Sequence, residues 1–230
     1  VAAQDLEELD VRDQALKAIV DVAAVHPKLF ENDIMISNLL LRIMKDTESL
    51  FTSTLLRLNA AEASTKLLFS RTLNDSRLFS ILLQLFFVPE LLSNDDKIEN
   101  SHENEEAVVR LQQLLSTFFN TFGLVHKATT TTAGTPDKFG IVILKKCITD
   151  LFSDMIVLCR DEYAHMSLLA KMTNYILTMS HDFNGGSSSS NASISTEALI
   201  AATICREALK LGNSKNEKSI IKEIIKILAT

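Results

Sequence analysis

Tryptophan is absent, and 230 residues carry only six glycines and three prolines. That is a sparse supply of turn formers, and an all-β fold with its many hairpins would need far more. Cysteine is scarce too: Cys147, Cys159 and Cys205 make no CxxC pairing, and an odd count at wide spacing does not build a disulfide framework. All three sit in apolar, helix-like surroundings, where they read as small buried hydrophobes in a reducing compartment. No signal peptide opens the chain. The longest apolar runs, such as Ile81 to Val88, are too short and interrupted to cross a bilayer, so cytosol or nucleus is expected and a membrane partner is not.

Motifs of catalysis are missing as well. None of the glycines stands in GxxxxGK or GxGxxG spacing, so no phosphate loop is present. The histidines His26, His102, His126, His165 and His181 make no HExxH or comparable ligand spacing. Cys159 and His165 lie near one another in sequence, but no third and fourth ligand stand beside them, and Cys159 on an apolar helix reads as core rather than as a nucleophile. The expectation is a protein with no catalytic residue, no metal, no cofactor and no small-molecule substrate. An excess of one charge is also lacking over most of the chain. Between residues 90 and 106, Glu90, Asp95, Asp96, Glu99, Glu103, Glu105 and Glu106 face Lys97 alone, which accounts for the whole net charge of −6. The remainder is near neutral, without the overall basic balance of a self-sufficient nucleic-acid binder.

What is abundant is Leu, Ile, Ala, Lys and Glu at helical spacing. Helices are expected from the start to about Val25, stopping at His26-Pro27 because proline disfavours helix in the residue before it; after Asn32-Asp33; over about 49–70; and from Asn74-Asp75 to Pro89. Further helices are expected from Glu105 to Phe122 with Gly123 as a left-handed cap, from Asp137 to Leu158, over about 162–180, from Ser195 to Leu211, and over about 216–229. In the first, Val11, Ala15, Ala18, Ile19 and Val22 share a face expected to be buried, with Arg12, Asp13, Lys17 and Asp21 on the other. In the second, Ile34, Leu39, Leu40 and Ile43 form the apolar set. Four helix pairs and a closing helix, at roughly 40 residues per pair, fall in the range of HEAT and armadillo units. The fold class is therefore all-α: one HEAT/armadillo-like α-solenoid over 1–230, a right-handed superhelix of antiparallel helix pairs. Polar stretches at about 93–104, 127–136 and 183–195 are expected to be mobile loops hanging off it.

The order of several segments resembles a known family. Val11-Arg12, then Ala15 to Val22, then Val25-His26 resembles the start of the carboxy-terminal domain of the G-type HEAT subunit of condensin. Ala60-Ala61-Glu62-Ala63-Ser64-Thr65-Lys66-Leu67-Leu68 is similar to its A-x-E-x-x-x-K-L-L helix. Leu82-Leu83-Gln84-Leu85-Phe86-Phe87-Val88-Pro89-Glu90 is similar to its L-L-x-x-F-x-P-E helix end, and Val109 to Phe119 to its L-R-Q-x-L-S-x-F-F element. The resemblance covers nearly the whole chain and departs only in the Thr-rich and Ser-rich loops. It implies a curved scaffold that binds the kleisin subunit, meets the SMC subunits indirectly, contributes to capture of double-stranded DNA and works in mitotic chromosome condensation. It also implies residence in the nucleus and on mitotic chromosomes, with a cytoplasmic pool. A solenoid adaptor for transport or for a phosphatase, with no DNA role, is the alternative that the residues leave open.

Candidate residues follow. Lys145-Lys146 is the only adjacent basic pair; phosphate contact is one reading, a solvated helix face the other, and at most one of the two can centre an exposed face. Lys215, Lys218, Lys222 and Lys226 form a row on the last helix, read most simply as the polar outer face of a capping helix, with Ile221, Ile224, Ile225 and Leu228 expected toward the core. Phe79, Phe86, Phe87, Phe118, Phe119 and Phe122 read mostly as core, any surplus being suspects for partner anchors. The kleisin-binding surface is not legible. Thr135-Pro136-Asp137-Lys138 resembles a cyclin-dependent kinase substrate and makes Thr135 a phosphorylation candidate close to a helix start.

Overall fold

Alternation of apolar residues at helical spacing gives helices throughout. The computed structural model describes residues 2–30, 34–46, 53–92, 101–125, 139–158, 164–182, 196–210 and 215–229. In order these form α1 (Ala2–Val25), α2 (Pro27–Phe30), α3 (Ile34–Lys45), α4 (Thr54–Phe69), α5 (Ser76–Phe87), a 3-10 turn (Pro89–Leu92), α6 (Ser101–Val125), α7 (Phe139–Leu158), α8 (Ala164–Asp182), α9 (Thr196–Lys210) and α10 (Lys215–Leu228). No strand occurs among the described residues. The loops expected at 127–136 and 183–195 lie outside the described residues, as does 93–100, whereas Ser101 to Asn104 already belong to α6.

Local chemistry fixes the helix ends. The Ser53 hydroxyl accepts from the Leu56 amide at 3.0 Å, and the Asp75 carboxylate accepts from the Arg77 amide at 2.9 Å, so α4 and α5 start at satisfied caps. After α4 the chain turns through Arg71, which holds φ 62, a left-handed conformation more usual for glycine. The Leu73 amide returns to the Leu67 carbonyl at 3.1 Å and closes that turn. One expected cap is absent. Gly123 lies buried inside α6, which continues to Val125. Missing a side chain costs a helix interior about 1 kcal/mol against alanine, but burial rewards close approach there.

The chain divides into two compact units, Val1–Phe119 and Asn120–Thr230. In the first, α1 packs on α4, α3 on both α4 and α5, and α4 on α5. In the second, α7 packs on α8 and α9, α8 on α9 and α10, and α9 on α10. Contacts that skip one long helix (α1 to α4, α3 to α5, α7 to α9, α8 to α10) are the mark of helix pairs stacked on helix pairs. Each unit is thus HEAT-like, and the all-α reading holds. The centre of the first unit is α4, in which Leu56, Leu58, Ala60, Ala61, Ala63, Leu67 and Leu68 are all buried. A helix apolar on every side is one enclosed by others, and the run of alanines lets its neighbours come close.

One face was expected to lie inward and does not. Over residues 10–25 of α1, Asp13, Leu16, Val20 and Ala23 are buried. Val11, Ala15, Ala18, Ile19 and Val22 are exposed. The reason is that α1 carries two apolar stripes, and the one holding Leu16, Val20 and Ala23 docks on α4 beside the bond between Asp13 and Asn59. Asp13, expected in solvent, accepts there from the Asn59 amide of α4 and from Lys17 Nζ at 2.6 Å, so its burial is paired. Likewise α3 buries Ile36, Leu40, Leu41 and Met44, leaving Ile34 exposed, Leu39 largely so and Ile43 half-buried.

Candidate functional site

Two kinds of site occur in these units, one polar and closed, the other apolar and open to a partner. The closed kind is centred on Arg57, which is 1% exposed in α4. Its guanidinium donates to the Met44 carbonyl at the end of α3 (Nε at 3.3 Å, Nη2 at 2.9 Å) and to the carbonyls of Leu91 and Leu92 in the 3-10 turn. Burial lowers its pKa, and nearby Asp46 pulls it back up. A cation on carbonyls at the end of a helix is well placed electrostatically. With its donors spread over three carbonyls, Arg57 is a structural staple. No pattern marks it beforehand, because an arginine within Leu-Leu-Arg-Leu reads as a surface residue.

Glu62 of α4 accepts from Lys66 at 2.9 Å and from Arg110 of α6 at 3.0 Å. The bond from Lys66, reinforced by Arg110, holds its carboxyl below the usual range against the opposing effect of burial. Asp75 would be raised by burial, but Arg77 outweighs this with bonds of 3.0 Å and 2.6 Å from its side chain. In the second unit Glu207 is buried, which by itself raises a carboxyl; Lys210 at 2.7 Å and Arg206 at 3.3 Å bring it down instead. The Thr149 hydroxyl of α7 reaches the same carboxylate at 3.4 Å and links α7 to α9. Burial pushes the Cys147 thiol well up, with Asp150 and Asp154 adding to it, which suits a core cysteine and not a nucleophile. Cys205 is exposed, contrary to expectation, because the buried face of α9 runs through Ile200, Thr203, Ile204, Glu207 and Ala208. Cys159 lies outside the described residues. Among the described residues no group of three His, Cys, Asp or Glu could hold a metal ion, and no helix is long and apolar enough to cross a membrane.

The open kind is apolar. Steps of about 100° per residue put Val11, Ala15, Ala18, Val22 and Val25 on the side of α1 opposite Leu16, Val20 and Ala23. The contrast is sharp: Leu16 is 4% and Ala23 0% exposed, against 47% for Val22 and 71% for Val25. Leu29 of α2 and Ile34 and Met35 of α3 are exposed as well, at 75%, 68% and 81%. Arg12, Lys17, Arg42 and Lys45 are exposed on the same two long helices. The sequence marked this stripe of α1 correctly as apolar but assigned it to the core.

The aromatic group resolves into core and remainder. Phe79, Phe118, Phe119 and Phe122 are buried, Phe79 meeting Phe119 edge-on at 5.3 Å between ring centroids. Phe86 and Phe87 are half-buried, T-shaped to each other at 5.4 Å. Of the basic pair, Lys146 is exposed on α7 and Lys145 half-buried. On α10, Ile224 is buried, while Lys218, Lys222 and Lys226 are exposed. Ile225, expected inward, is 58% exposed: seven residues on from Lys218, it stands about 20° from that lysine on the helix circumference and about 100° from Ile224. Thr135 lies outside the described residues.

No curated protein and no solved structure matches the chain. A family model does: that of the C-terminal domain of nuclear condensing complex subunits, over residues 3–230. The match takes in both stacked units and every helix described above, and on that span the chain belongs to the family of nuclear condensing complex subunits, as their C-terminal domain.

Proposed function

We propose that the chain is a non-catalytic scaffold segment of a condensin HEAT subunit, binding kleisin and contributing to DNA capture in mitotic chromosome condensation. The observation that carries this reading is the second apolar stripe of α1, continued by Leu29, Ile34 and Met35. Exposed apolar surface rimmed by polar residues marks a protein-binding site. The stripe serves as the seat of a kleisin segment, whose apolar side chains would meet Val22, Val25 and Met35. ATP chemistry belongs to the SMC subunits, which this chain meets only through kleisin. Duplex DNA is met through phosphate contacts, with Lys146 the exposed member of its pair. The site of action is the nucleus and the mitotic chromosome, with a pool in the cytoplasm.

Co-purification with kleisin from the same organism tests the seat. Val22→Glu with Val25→Glu places two charges in it and should weaken capture by about tenfold or more, since central apolar contacts dominate such interfaces. Both positions are exposed, so the helical circular dichroism stays as in the parent. Capture of neither kleisin nor duplex DNA at low salt, by this chain and by the full subunit, overturns the reading. Thr135 is the proposed modification site: in mitotic cells it carries phosphate, and its recovery unmodified at high coverage by mass spectrometry refutes that.

A further inference from the structure

We propose that the outer face of α10 is a docking surface for the phosphate backbone of double-stranded DNA. The inference deepens the DNA-capture reading above and rests on it. Ile224, 1% exposed, fixes the rotation of the helix against α8 and α9, and Lys218, Lys222 and Lys226 then stand in solvent one helical turn apart. Lys215 starts the helix in the same register. Lys226 bonds Glu223 at 2.6 Å, whereas Lys218 and Lys222 have no acidic partner among the described residues.

A face that needs only to be soluble carries both signs interspersed. Here Glu223 answers Lys226 alone, and Lys218 and Lys222, like charges one turn apart on a helix, repel. A polyanion relieves that repulsion. From Lys218 to Lys226 the helix rises about 12 Å, a length over which duplex DNA presents about seven phosphates. The contact is to backbone and not to bases, so it is blind to sequence and sensitive to salt.

Fluorescence anisotropy of the intact chain with a labelled duplex, titrated with salt from low to physiological, provides the test. Lys218→Gln with Lys222→Gln should weaken binding at low salt by about tenfold or more and reduce the salt slope by about 2. Lys218→Arg with Lys222→Arg should bind as the parent does, and two duplexes of unrelated sequence should bind alike. Binding by the glutamine variant within a factor of about 2 of the parent, with an unchanged slope, overturns the proposal. If that happens while Lys146→Gln abolishes binding, the DNA reading survives without α10; if the parent does not bind at all, both fall. Because Ile225 is exposed at the edge of the row, phosphatidylserine–phosphatidylcholine vesicles form a second arm. Vesicle binding lost in the glutamine variant, with duplex binding intact, reassigns the face to a lipid surface and overturns the proposal.

Discussion

Arg57 is an arginine whose charge is met by carbonyl dipoles instead of a bonded carboxylate, and that sets what its replacement does. Arg57→Met keeps the volume of the stem but strands the Met44 and Leu92 carbonyls in the core and takes a donor from the partly exposed Leu91 carbonyl. Unpaired buried acceptors and a lost charged bond together cost about 3 kcal/mol, measured as a drop in urea midpoint at unchanged slope. Arg57→Lys should recover only part, since a single ammonium cannot fork between α3 and the 3-10 turn. Equal stability of Arg57→Met and the parent would show that the staple holds nothing. The carboxylates make an acid-side prediction. Glu62, Asp75 and Glu207 all have lowered pKa values in the fold, so each binds its proton more weakly folded than unfolded. Their contribution is complete above the ordinary carboxylate range of about pH 4 and disappears as pH falls through the lower folded values. Unfolding midpoints at neutral pH and near pH 3 should therefore differ less for Glu62→Gln/Glu207→Gln than for the parent; an equal loss refutes the assignment.

At the level of a helix, α1 shows what periodicity can and cannot convey. Spacing located the helix, its end at His26-Pro27 and its apolar positions, because those depend on the backbone alone. It could not choose between two opposed stripes, since the choice rests on a partner far away in sequence: Asn59 of α4, which receives Asp13 and so draws Leu16, Val20 and Ala23 inward. The same limit explains Ile225 and Cys205, apolar residues left outside when Ile224 and Ile204 took the core. It also explains Arg57, whose partners are carbonyls that no side-chain pattern reveals. Conversely, Asp75 was readable as a helix start because its ligand lies two residues away, whereas the Ser53 cap falls inside the span of about 49–70 read as helix. A pair of substitutions separates the two stripes of α1. Leu16→Ala should cost about 2–4 kcal/mol by opening a cavity against α4, while Val22→Ala stays within about 0.5 kcal/mol. Thermal or urea unfolding of the two variants decides it, and comparable losses would mean that Val22 is covered in solution.

Over the whole chain, stacked pairs imply that stability is spread through nearest neighbours and not pooled in one core. The contacts of Arg57 reach α3 and the 3-10 turn, both in the first unit, and α7 to α10 pack among themselves in the second. Cooperative opening then occurs unit by unit, at free energies that need not agree. Native-state hydrogen exchange followed by mass spectrometry can see this directly. Arg57→Met should speed exchange across α3, α4 and α5 and leave α7 to α10 as protected as in the parent. The reciprocal substitution is Leu151→Ala, in a position of α7 that is 1% exposed, and it should loosen α7 to α10 while α3 to α5 keep their protection. Equal loss of protection in both units from either substitution would mean that the chain opens as one block, and the nearest-neighbour account of its stability would have to be abandoned.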